Sequence, residues 1–86
     1  MFKQVNPKQR ERKEWSVEEF EFLKNVGDNI IRIKKEKNIT SKHVYEELEI
    51  DKSNYRRIEA GKTNLSLLLL RRIATVLDVS IGDLTK

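Results

Sequence analysis

The apolar positions of this chain recur at helical spacing and nowhere alternate. Phe20, Leu23, Val26, Ile30 and Ile33 fall three or four residues apart, the spacing that lines one face of a helix. Ser16 and Glu19 stand ahead of that stripe as a capping box, so a helix is predicted to begin there. The stripe runs through Gly27 to about Glu36. Because glycine costs about 1 kcal/mol relative to alanine inside a helix, one helix and two helices broken near Gly27 both satisfy the pattern. Asn38 is placed to close the segment in the left-handed conformation.

A second helix is predicted from Thr40, its N-cap, to Leu48, with Val44 and Leu48 four apart on one face. After the tight connection Glu49-Ile50, Asp51 is a good N-cap and Gly61 a good stop for a third. Across it Tyr55, Ile58 and Glu59 point one way, while Lys52, Ser53, Arg56 and Arg57 point the other. A polar loop, Lys62-Thr63-Asn64, follows. Ser66 then caps a helix with Leu67, Leu70, Ile73, Ala74 and Leu77 on its core face. Asp78-Val79-Ser80 reads as a turn and Ile81 to Leu84 as a last short helical turn, so the chain is all-α. Two short helices joined so tightly match the helix-turn-helix unit, whose second helix enters the DNA major groove.

Charge sharpens that reading. The 86 residues carry a net charge of +4, which favours a polyanionic partner only slightly, but the charge is patchy. Residues 1–14 hold five basic and two acidic groups, residues 51–62 four and two, while 41–50 sets Lys42 against Glu46, Glu47 and Glu49. The first 14 residues, with the only proline, are expected to be a disordered basic arm, a solubilising tail or a reach along a phosphate backbone.

With no cysteine and one histidine, disulfides and the usual zinc sites are excluded, and no cofactor is expected. A chain this short has a modest core, so its stability must come from helix packing or a second subunit. No apolar run is long enough for a membrane span and the start lacks a signal-peptide core, so a cytoplasmic protein is expected. An enzyme is disfavoured by the isolated histidine and the absence of a glycine-rich phosphate loop.

From Val26 to Leu84 the chain resembles the helix-turn-helix domain of the lambda-repressor and Cro type, a class of bacterial and phage transcription regulators. The resemblance is carried by Val26-Gly27, Ile39-Thr40-Ser41, Ile58-Glu59-Ala60-Gly61-Lys62, Ile73-Ala74 and Leu77-Asp78-Val79-Ser80. With the N-terminal helical extension at 15–25 and the arm at 1–14 read from the chain itself, the resemblance implies a lambda-repressor-like domain of about five short helices over residues 26–86. It further implies base contacts from Lys52, Ser53, Arg56 and Arg57, with Arg56 at the edge of that surface. Phosphate contacts would come from Ser41, Lys62, Thr63 and Asn64, and Lys34 would pair with Glu59. Three departures stand out: Tyr45 for a small alanine, Glu49 for a turn glycine, and Leu65 for a common proline.

Other residues read more plainly. Tyr55 is expected as a core ring with its hydroxyl at the edge, His43 as solvent-facing, Trp15 and Phe22 as packing for the extension, and Arg71 and Arg72 as surface charges or interface partners. The run Leu67 to Leu70 holds two leucines more than a one-sided helix can bury. Leu68 and Leu69, joined by Ile31 and Val76, are therefore the expected exposed patch. That patch, or the Trp15 to Leu23 extension, is expected to form a two-fold homodimer interface, unless the extension folds back over the leucines.

The function expected is a sequence-specific, double-stranded DNA-binding transcription regulator, a homodimer on a palindromic operator. It would be a small autoregulator, such as a restriction-modification controller or a phage-type repressor. The alternatives are an antitoxin with a toxin as partner, or a protein-interaction module of the same fold.

Overall fold

A computed structural model describes residues 15–86, and the basic arm expected at 1–14 lies outside the described residues. Five helices form: α1 (Val17–Lys37), α2 (Ser41–Leu48), α3 (Lys52–Glu59), α4 (Leu67–Leu77) and α5 (Ile81–Thr85). Local chemistry sets their limits. Ser16 Oγ accepts from the Glu19 N–H while the Glu19 carboxylate accepts from the Ser16 N–H, completing the expected box. Thr40, Asp51, Ser66 and Ser80 cap the other four starts through their side-chain oxygens.

The helix ends follow from backbone conformation. Asn38, Glu49 and Asp78 all sit at positive φ, and Glu49, which stands where the resemblance has a turn glycine, has φ of 56°. Gly61 has φ of 71° and follows α3 at the expected place. Its neighbour Lys62 donates its N–H to the Arg57 carbonyl at 2.9 Å, which closes the helix with a left-handed turn.

α1 is continuous. The possible break at Gly27 does not occur, and the boundary drawn between extension and domain at residue 26 falls inside one 21-residue helix. The reason is tertiary: Gly27 is buried where α1 crosses α3, and that contact outweighs its weak helix propensity. Only the part of the stripe from Val26 onward enters the core. Phe20 is 48% exposed, because the first turns of α1 extend past the elements it packs on, and the Trp15 ring meets Phe20 edge-on at 5.1 Å. The extension does not fold back over the leucines.

The core joins Val26, Ile30 and Ile33 of α1 to Val44, Leu48, Tyr55, Ile58, Ile73, Leu77 and Leu84. α1 packs on α3 and α5, and α2 packs on α4 and α3. Each such large side chain contributes about 1.5–3 kcal/mol by leaving water. Polar clamps finish the frame. Lys37 donates to the carbonyls of Leu77 and Asp78 at the end of α4, and Asn29 donates to the Leu84 carbonyl of α5 at 2.9 Å.

The leucine run is arranged differently from the expectation. Leu67 is 75% exposed instead of core-facing, since it opens α4 before the helix meets the core. Leu68 is 57% exposed as expected, whereas Leu69 is half-buried against the core together with Leu70. Val76 is half-buried beside Leu68, and Ile31 lies in a different groove, so the four patch residues do not form one surface.

Candidate nucleic-acid interface

α3 is held from behind and free in front. Behind, the Tyr55 and Ile58 side chains are buried, at 1% and 4% exposure. In front, Lys52, Ser53, Arg56 and Arg57 are all exposed, and among the described residues none of the three cations is in an ion pair. A cationic face fixed on a packed helix, with its charges uncommitted, is suited to a polyanion. Ser53 is less free than its neighbours, because its hydroxyl donates to the Asp51 carboxylate and its N–H is capped by the same group. Those two bonds hold the Asp51 carboxyl below the usual carboxylate range.

The expected Lys34–Glu59 pair is present at 2.6 Å and is almost shielded from solvent, with side chains 10% and 17% exposed. Lys34 does more than pair. Its ammonium also donates to Ser41 Oγ and lies 5.6 Å from the centre of the Tyr55 ring. One cation from α1 thus ties the start of α2 to the end of α3. Tyr55 is a core ring as expected, but its hydroxyl is buried and not at an edge, and it makes no well-formed hydrogen bond. Burial first, and the Glu59 carboxylate second, push its pKa far up. Tyr45, bulkier than the alanine expected there, turns half-outward and meets Tyr55 with ring centres 6.1 Å apart.

The expected phosphate ligands flank this helix on both sides. Thr40 satisfies only the His43 N–H, which leaves the first-turn N–H groups of Ser41 and Lys42 for an outside acceptor. Ser41 itself is half-buried and engaged by Lys34, so any phosphate contact from it falls to the backbone. Lys62 and Asn64 are exposed and Thr63 half-buried; the last two share a small pocket with Asn54 of α3. Leu65, in place of the expected proline, packs on the core.

Two residues were not foreseen. Asn54 is exposed between the cationic face and the loop, and Lys35 lines the groove at the start of α2 beside Thr40 and Ser41. Asn54 could have been found from its helical angle, one step from Arg57 at i+3. Lys35 could not, since only the left-handed turn at Asn38 folds the start of α2 back beside it.

The profile of the helix-turn-helix family matches residues 30–84. The chain belongs to that family, in its lambda-repressor and Cro branch. Its DNA-binding, transcription-regulating character comes with that membership. Among solved structures, the restriction-modification controller protein C.AhdI from Aeromonas hydrophila has the same fold. The TM-score is 0.67 and the identity 24%, over 72% of this chain and 94% of that one. No curated protein matches the sequence. This helix-turn-helix chain contains no helix, among the described residues, that is long and apolar enough to cross a membrane.

Proposed function

We propose that the protein is a sequence-specific regulator that binds a palindromic operator as a homodimer. Lys52, Arg56 and Arg57, with Ser53 beside them, would read base edges. The backbone at Ser41, together with Lys62, Thr63 and Asn64, would hold phosphates. The observation that carries this reading is the exposed cationic face of α3, a helix anchored by the nearly buried Lys34–Glu59 pair so that its arginines project from a fixed backbone. Arginine can pair with guanine O6 and N7, and phosphate contacts would supply most of the affinity and its salt dependence. A dimer would address two half-sites about one helical turn apart. A small autoregulator, such as a restriction-modification controller, fits this reading.

The test is selection of bound sequences from a random duplex pool at near-physiological salt, with an Arg56→Ala, Arg57→Ala double variant alongside. The expected result is an enriched palindrome that the double variant loses. No enrichment by either protein would overturn the reading.

A second reading, an antitoxin or interaction module, is favoured by one observation. Val17, Phe20 and Phe22 expose 69%, 48% and 52% of their surface on the first turns of α1, a surface suited to a protein partner. That reading is supported if the protein co-purifies stoichiometrically with the product of a neighbouring gene through this segment.

A further inference from the structure

An open groove of about 380 Å³ runs between the end of α2 and the outer side of α4. Its floor is apolar, formed by Leu68 and Val76 over the buried Leu48, and its rims are of opposite charge. Glu47 and Glu49 stand on the α2 side, Arg71 and Arg72 on the α4 side. Although they line one groove, none of these four charges is ion-paired within the described residues. Beside them Leu67 and Leu68 leave 75% and 57% of their surface in water.

We infer that this groove is the two-fold homodimer interface, with Arg71 and Arg72 of one copy set against Glu47 and Glu49 of the other. The inference rests on the homodimer reading above and supplies the surface. A two-fold axis running along the groove in the plane of contact carries each rim onto the opposite rim of the second copy, so the contacts across it join unlike charges, whereas an axis across the groove would set like rims together. A partner of uniform charge would be attracted by one rim and repelled by the other, and nucleic acid would meet the glutamates. A second copy satisfies both rims while covering the leucines.

The other apolar surface does not have this property. The segment bearing Val17, Phe20 and Phe22 also carries Glu18, Glu19 and Glu21, so two copies docked there would oppose like charges. Ile31 and Leu69 lie in separate grooves and take no part.

Sedimentation equilibrium of the full chain without DNA tests the surface independently of operator binding. The wild type should be dimeric at tens of micromolar. Variants Arg71→Glu, Arg72→Glu and Glu47→Lys, Glu49→Lys should each keep their helical circular dichroism. Each should weaken the dimer by about a hundredfold or more, because both sets of contacts become like-charged. Mixed in equal amounts, the two double variants should recover a dimer, since every opposed pair is again unlike. A monomeric wild type overturns the inference and leaves the groove to a different partner. Variants that stay dimeric, or a mixture that does not recover, overturn the assignment of this surface. Absence of an operator in the selection experiment would count against the regulator reading and leave this result intact.

Discussion

Gly27 of α1 lies against the backbone carbonyl of Glu59 at the end of α3, so closely that a Cβ on Gly27 would stand 2.3 Å from that oxygen. Gly61 answers from the other side: a Cβ there would be 2.6 Å from Lys24 Cα. The two glycines let α1 cross the end of the candidate recognition helix with backbone on backbone, and the buried Lys34–Glu59 pair closes the same crossing one step farther along. The orientation of α3 is therefore set mainly by α1.

Gly27→Ala should destabilise the protein even though alanine is the better helix former. The intrinsic gain of about 1 kcal/mol is opposed by an overpacking cost of about 1–3 kcal/mol, and the atoms met are backbone, which cannot rotate away. Thermal unfolding should show a lower midpoint. A higher midpoint would mean that α1 and α3 separate at little cost.

Lys34→Met should destabilise more than Lys34→Met combined with Glu59→Gln. The single change leaves a nearly buried carboxylate without its cation, with a loss of about 2–4 kcal/mol, and the double change removes the orphaned charge. A double-mutant cycle by urea unfolding should give a coupling of about 1–3 kcal/mol. A coupling near zero would place the pair in effective contact with water.

Alkaline pH should unfold the protein partly through Tyr55. Its folded-state pKa is raised, so its contribution is fully present below the ordinary value of 10.0 and is lost as pH rises beyond it, where the unfolded chain ionises first. Tyr55→Phe should make stability fall less steeply above pH 10, with a change at neutral pH of about 1 kcal/mol or less because the hydroxyl lacks a well-formed hydrogen bond. Equal alkaline slopes for the two proteins would show that Tyr55 does not carry the effect.

Arg57→Ala and Lys62→Ala should separate base reading from phosphate binding. The first should cost about 1–3 kcal/mol on the selected operator and less on random duplex. The second should weaken both equally and lower the salt dependence by about one counterion. Titrations at several salt concentrations distinguish them, and equal losses on both duplexes for Arg57→Ala would assign Arg57 to phosphate.

The sequence by itself determined the local events. Caps at Ser16, Thr40, Asp51 and Ser66 and left-handed stops at Asn38 and Gly61 were legible because each depends on a side chain and a backbone within a few residues of it. The same holds for the split of α3 into a buried face and a cationic face, which follows from helical geometry alone. Only the tertiary structure decided whether Gly27 breaks a helix or lets two helices meet, because the answer lies in Glu59, 32 residues away. It also decided the leucine run. Periodicity assigns a face to each of Leu67 to Leu70, but whether that face meets the core depends on where α4 first touches it, which leaves Leu67 outside and draws Leu69 in. The groove with its two charged rims belongs to this second kind of information, since Glu47 and Arg71 become neighbours only when α2 and α4 pack together.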